Sequence, residues 1–207
     1  MKNNNNIVNV TGIVGDLEYE YEINGETFYK SYITVSRTSK VCDLLPIVIS
    51  NKLLGDKEYD AIKNTKAITL KGEYRSRNVP ENGKSKLQLY IFVQEVSLED
   101  EVHNNACILK GYICKPVILR DTPLGRTITD IMLAVNRNSS YKSDYIPIIT
   151  WGRNANFASK LKIGDCIIIE GRIQSRFYNK CVDGKNLVCT AYEVSANNIS
   201  LCCGEEK

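Results

Sequence analysis

The sequence predicts an all-β chain: two tandem five-stranded Greek-key barrels, each carrying one short helix. Three observations lead there. The second half echoes the first, each half is a string of short Ile/Val/Tyr/Thr-rich runs bounded by turn residues, and one helical stretch follows the third run of each half.

The echo is specific in order and spacing. Gly72-Glu-Tyr-Arg-Ser-Arg77 recurs as Gly171-Arg-Ile-Gln-Ser-Arg176, a shift of 99, and Glu95-Val-Ser97 recurs as Glu193-Val-Ser195, a shift of 98. Gly12 answers Gly111, Val35-Ser-Arg37 answers Val135-Asn-Arg137, and Asp43-Leu-Leu-Pro-Ile47 answers Asp144-Tyr-Ile-Pro-Ile148. A period near 100 residues is far longer than a solenoid repeat, so it marks a duplicated domain. The polar stretch 99–105 is the natural joint, giving domains 1–103 and 104–207. In the second copy the strand-like runs are 131–135, 145–151, 166–171 and 187–194, with turns at 123–125, 138–140, 163–165 and 183–185. A helix is predicted over 154–161, matched by 56–63 in the first copy. Five strands with a helix after the third is the layout of the OB-fold. A β-sandwich lacks that helix, and an α/β sheet needs several. The glycine of the shared Gly-x-x-x-Ser-Arg reads as a bulge or tight bend in a barrel strand, as do Gly12 and Gly111. In the first copy, Asn24-Gly25 predicts a hairpin flanked by Tyr19, Tyr21, Tyr29 and Tyr32, whose plainer reading is cross-strand packing and whose other reading is a flap over a bound ligand.

Composition excludes several chemistries. A single histidine, His103, in a polar stretch leaves no two-histidine metal centre and a poor start for a Ser-His or Cys-His pair. Eight cysteines show no C-x₂₋₄-C knuckle, so a zinc site from Cys107, Cys114, Cys181 and Cys189 gives way to scattered structural thiols. No paired-carboxylate, nucleophile-elbow or phosphate-loop pattern organises the carboxylates, so no enzyme, no cofactor and no small-molecule substrate are expected. The start of the chain lacks an apolar signal core, and no run approaches ~18 consecutive apolar residues, which predicts a cytoplasmic, nucleoid-associated protein with no membrane contact.

Two segments carry a resemblance. Asp144-Tyr-Ile-Pro-Ile-Ile-Thr-Trp-Gly-Arg-Asn-Ala155 resembles the third strand of the bacterial single-stranded DNA-binding protein family. Lys162-Ile-Gly-Asp-Cys-Ile-Ile-Ile-Glu-Gly-Arg-Ile-Gln-Ser-Arg-Phe-Tyr178 resembles its fourth strand and aromatic exit. The likeness covers nearly all of 104–200; the first copy shares it only through the repeat. It implies single-strand binding on OB barrels that work in sets of four, so a two-barrel chain implies a homodimer. The family's acidic, partner-recruiting tail has no match in Cys202-Cys-Gly-Glu-Glu-Lys207, though contacts with replication proteins remain an implication of the family.

Strand parity then selects an outer face. In 145–151, Ile146, Ile148 and Thr150 read as interior, leaving Tyr145 and Trp151 outside; in 171–178, Arg172, Gln174, Arg176 and Tyr178 share one side while Ile173 and Phe177 point away. Tyr145, Trp151 and Tyr178 fall where the resemblance implies base stacking, and Arg172 and Arg176 lie between them. Arg137, Arg153, Lys160 and Lys162 would lengthen the cationic track. Stacking an unpaired base on a ring contributes ~1–3 kcal/mol regardless of sequence, and cations release counterions from phosphates.

The copies differ. Leu44, Ser50 and Val79 stand where Tyr145, Trp151 and Tyr178 stand, so all three rings are missing from those positions. Residues 1–103 hold 13 Lys/Arg and 15 Asp/Glu, a net −2; residues 104–207 hold 14 and 9, a net +5. The first barrel's binding face therefore reads as degenerate, with Arg75 and Arg77 offering secondary phosphate contacts. The expectation is a non-catalytic binder of single-stranded DNA in replication, recombination or repair. The alternative is an OB-fold protein-interaction or primosome-like assembly module, and RNA binding is a further possibility because stacking does not read the sugar.

Overall fold

The computed structural model describes residues 5–81, 83–98, 104–122, 124–137, 140–182 and 185–202. The joint at 99–103 with His103, the turn residues Pro123, Asn138, Ser139, Asp183 and Gly184, the terminal 203–207 and the side chain of Cys181 lie outside the described residues.

Among the described residues, six strands and one α-helix build each half. The first contains β1 (Asn6–Val14), β2 (Glu18–Ile23), β3 (Glu26–Ser36), β4 (Cys42–Ser50), α1 (Asp56–Lys63), β5 (Ala67–Glu81) and β6 (Lys84–Ser97). The second contains β7 (Asn105–Ile113), β8 (Ile118–Asp121), β9 (Thr127–Asn136), β10 (Ser143–Trp151), α2 (Arg153–Ala158), β11 (Cys166–Val182) and β12 (Lys185–Leu201). Six replaces the expected five because the first strand of each barrel is broken by a bend. β1 and β2 both pair with β3, and β7 and β8 both pair with β9. The helix follows the next-but-one strand in each half, and α1 spans the predicted 56–63; α2 ends three residues earlier than predicted. At Asn24-Gly25 both residues take positive φ (50° and 74°), the conformation a two-residue hairpin turn requires.

Alternation makes the core. Along β10, Asp144, Ile146, Ile148 and Thr150 are buried, joined by Leu133 and Ile131 of β9, Ile173 of β11 and Val194 of β12. Each fully buried Ile or Leu contributes about 1.5–3 kcal/mol. The repeated glycines mark close approaches between strands: a Cβ on Gly72 or Gly171 would collide with the carbonyl oxygen of Phe92 or Ser195, and each sits where the strand register shifts. Gly12 and Gly111 face Thr34 and Ala134 carbonyls in the same way.

Antiparallel pairing of β1 with β7, from Asn6↔Leu109 to Val10↔Asn105, joins the halves into one twelve-stranded sheet. Two matched polar locks reinforce the joint. Asp144 accepts two hydrogen bonds from Arg137 (2.7 and 2.9 Å) and one from the Ser76 backbone N–H (2.6 Å), which lies in the other half. Asp43 likewise accepts from Arg37 (2.5 and 2.7 Å) and from the Ser175 N–H (2.7 Å). The serine of the repeated motif is thus a cross-barrel residue.

The echo needs one correction. Val48 pairs with Phe92, and its counterpart Ile149 pairs with Ser195, an offset of 103 on the last strand rather than 98. From bulge to turn, the β11–β12 hairpin (Gly171 to Val182 and Lys185 to Ala196) is two residues longer in each arm than β5–β6 (Gly72 to Glu81 and Lys84 to Val93), which pushes the frame from 99 to 103. The Glu-Val-Ser match therefore relates residues that do not occupy equivalent places. Among the described residues no helix is long and apolar enough to cross a membrane.

Candidate nucleic-acid interface

Side chains of residues paired across neighbouring strands project from the same side of the sheet. Ile148, Val194 and Ile173 form one such row and are buried. The adjacent row, Ile149–Ser195–Arg172, therefore belongs to the outer face. By the same parity Tyr145 and Trp151 of β10 and Arg172, Gln174, Arg176 and Tyr178 of β11 lie on that face together. A hydrogen bond from the Trp151 indole N–H to Ser195 Oγ (3.2 Å) spans it and fixes the ring's orientation. Tyr145 and Tyr178 are exposed by 45% and 40%, enough to present a ring face to solvent. The Arg176 guanidinium lies 6.0 Å from the Tyr178 ring centroid and 3.7 Å from the Glu193 carboxylate. Glu193 is buried and also accepts a hydrogen bond from Gln174 (2.8 Å).

The remaining predicted cations divide. Arg153 starts α2 directly after the Trp151-Gly152 turn and is exposed, while Lys160 and Lys162 are exposed in the segment after α2. The Ala155 carbonyl of α2 accepts a hydrogen bond from Thr129 Oγ of the inward face, so no strand register carries the two lysines to the rings. Arg137 is not a free cation: its fork is engaged by Asp144 and by the Ser76 carbonyl (3.0 Å), and its side chain is largely covered. The Asp144 hydrogen bonds hold its pKa above the usual guanidinium value, against the opposing effect of burial. Arg75 donates twice to Glu73 and lies 3.8 Å over the Phe92 ring, and Arg77 binds Glu20 and Gln88 and sits 5.3 Å over Tyr90. These three arginines serve internal partners. Arg172 borders Asp43 at the joint, with Nη1 3.7 Å from Oδ2.

Sequence reasoning missed two features. Arg120 of β8 pairs with Ile128, which pairs with Trp151, so a further guanidinium shares the face, bound to Asp130 at 2.5 and 3.1 Å. The second feature is that the first barrel's face is not ringless. Positions 44, 50 and 79 lack rings, yet Tyr21, Phe28 and Phe92 stack in series with centroids 4.9 and 5.9 Å apart. Phe28 pairs with Ser50 as Ile128 pairs with Trp151, and Phe92 stands where Ser195 stands. The rings have moved from the central strand to its two neighbours. The cross-strand reading of the hairpin tyrosines agrees with Tyr19 opposite Tyr29 and Tyr21 opposite Phe28.

Two small barrels joined through one sheet, with rings and guanidinium groups on the outer face of the second, define a tandem OB-fold protein. The model of the "Single-strand binding protein family" matches residues 104–202. A Streptococcus agalactiae "Single-stranded DNA-binding protein 3" is 36% identical over 103 residues, 47% of this chain and 72% of that protein. Listeria monocytogenes "Single-stranded DNA-binding protein 2" is 36% identical over 101 residues, 46% of this chain and 61% of its own. The chain belongs to the single-strand binding protein family. It spans about three fifths of the length of the first curated relatives it matches. The crystal structure of the wild-type single-stranded DNA binding protein from Thermus aquaticus has a similar fold across 98% of this chain and 95% of that one, at 19% identity and a TM-score of 0.68.

Proposed function

We propose that the chain binds single-stranded DNA without regard to base sequence, chiefly on the second barrel, and carries out no reaction on it. The observation that carries this reading is the shared outer face of Tyr145, Trp151 and Tyr178, with Arg176 beside the last ring and the indole oriented by Ser195. Rings held at intervals along a strand stack bases, and unpaired or half-exposed guanidinium groups between them neutralise phosphate. Arg153, Lys160 and Lys162 extend the positive potential beyond the face. The first barrel contributes less, because its rings stack on one another and Arg75 and Arg77 answer Glu73 and Glu20. In this reading two chains associate to present four barrels, and the protein acts in the cytoplasm on strands exposed during replication, recombination and repair, alongside replication proteins.

Trp151 is the chain's single tryptophan, so its fluorescence reports one site. Oligo-dT is expected to quench it, with an affinity that falls steeply as salt rises. Absence of both quenching and salt-sensitive binding overturns the reading in favour of a protein-interaction module.

A further inference from the structure

The two locks at the joint are related by the duplication, and their surroundings are not. Beside Asp144 and Arg137, the first half supplies Glu73, itself bound to Arg75. Beside Asp43 and Arg37, the second half supplies Arg172 at the position equivalent to Glu73, since Gly72 answers Gly171. One acid thus faces two guanidinium groups at this junction, leaving one positive charge uncompensated.

That charge borders a cavity of about 390 Å³ lined by Ser36, Arg37, Thr38, Ser39, Asn105 and Arg172. The Arg172 side chain is one-third exposed at the cavity, with its inner nitrogen Nη1 sealed from solvent 3.7 Å from Asp43 Oδ2 and the rest of the guanidinium left to face outward. Burial, then the neighbouring Arg37 charge, push the Arg172 pKa down, with Asp43 acting in the opposite direction. Three hydroxyl side chains on the rim add neutral donors. Two guanidinium groups, hydroxyls and one net positive charge suit a tetrahedral oxyanion of the phosphate type.

We infer that this cavity holds a backbone phosphodiester of single-stranded DNA where the strand passes from the second barrel to the first. The inference rests on the single-strand reading above. It makes the path one-sided: the Arg37/Arg172 junction takes a phosphate, and the Arg137/Glu73 junction takes none.

The test uses the full chain and two probes, inorganic phosphate and oligo-dT. Phosphate is expected to shift the Nε–H resonances of Arg37 and Arg172 in ¹⁵N spectra and leave that of Arg137 in place. Arg172→Gln should erase the shift and reduce the salt-dependence slope of oligo-dT binding by about 0.7, the loss of one contact on a single strand. Arg172→Lys keeps the cation and should keep most of the slope, which separates loss of the site from loss of the fold. An unchanged slope in Arg172→Gln, with Trp151 still quenched by oligo-dT, overturns this inference and leaves the single-strand reading standing. Phosphate shifts with neither quenching nor salt-sensitive binding of oligo-dT make the cavity a free-phosphate site, which overturns the strand assignment and the function together.

Discussion

Replacing Asp144 with alanine tests whether the joint is as rigid as its hydrogen bonds indicate. The carboxylate is 1% exposed and receives two donors from Arg137 and one backbone donor from Ser76 of the other half. Its removal strands the Arg137 guanidinium, whose side chain is only 19% exposed, and leaves the Ser76 N–H without its acceptor. Breaking a buried pair by deleting one partner costs about 3–5 kcal/mol, most of it from the orphaned charge. At about 2–4 °C per kcal/mol for a chain of this size, the midpoint of thermal unfolding should fall by about 6–20 °C. Removing Arg137 as well should recover part of the loss, giving a coupling of about 1–3 kcal/mol in the double-mutant cycle. Circular dichroism melts of the three variants measure both quantities. Asp43→Ala should cost at least as much, because Arg37 and Arg172 both lose their acid. A drop of less than about 2 °C for Asp144→Ala would refute the account of the joint as a charge-locked unit.

Trp151→Ala combined with Tyr178→Ala removes two stacking rings, each worth about 1–3 kcal/mol, and should raise the oligo-dT dissociation constant by about 30-fold or more. Leu44→Ala with Ser50→Ala, at the matching first-barrel positions, should change it by less than about threefold; fluorescence anisotropy of labelled oligo-dT compares the two. Alkaline pH provides an independent check on the core. Burial, reinforced by Tyr32, pushes the Tyr192 hydroxyl up to about 12, and burial pushes Tyr74 upward as well. The folded chain therefore holds protons that the unfolded chain releases, so stability is constant below the unfolded tyrosine value near 10 and declines as pH rises toward 12. Chemical denaturation at pH 8, 10 and 11.5 should give a midpoint that is flat and then falling; a midpoint that rises above pH 10 would contradict the burial of these hydroxyls.

Much of the architecture was legible because barrel strands alternate. The parity of 145–151 separates Ile146, Ile148 and Thr150 from Tyr145 and Trp151, and the first set is buried. The glycines announce close strand approaches because only a missing Cβ allows them. Ion-pair partners were less legible. Arg137 follows its strand on the inward parity of Val135 and reads in the sequence as an extension of the cationic track, yet Asp144, seven residues on, and Ser76, from the other half, capture it. Nothing in a one-dimensional pattern says which carboxylate a guanidinium folds onto. The first barrel's rings escaped notice for a geometric reason. Comparison by residue identity assumes a constant offset, and a hairpin longer by two residues in each arm moves Phe92 into the place of Ser195 without any trace in the matched motifs.

That displacement also explains how one chain can carry two unlike faces on the same scaffold. A patch built from three adjacent strands can hold a ring on the central strand with small or aliphatic neighbours, as Trp151 lies between Ile128 and Ser195. It can equally hold rings on the two neighbours across a small central residue, as Phe28 and Phe92 flank Ser50. The first arrangement leaves a single, partly exposed ring with no ring partner beside it, which is what the proposed base stacking requires. The second satisfies each ring with another ring, and Phe92 with Arg75 as well, so much of its stacking capacity is spent within the fold. Both lie over inward residues of the same kind, Leu45, Ile47 and Ile49 in one barrel and Ile146 and Ile148 in the other, so exchanging one for the other changes the surface above a similar core. Fusing two barrels in one chain makes the exchange possible, because each copy then carries its own residues at these positions and a change to one face leaves the other intact.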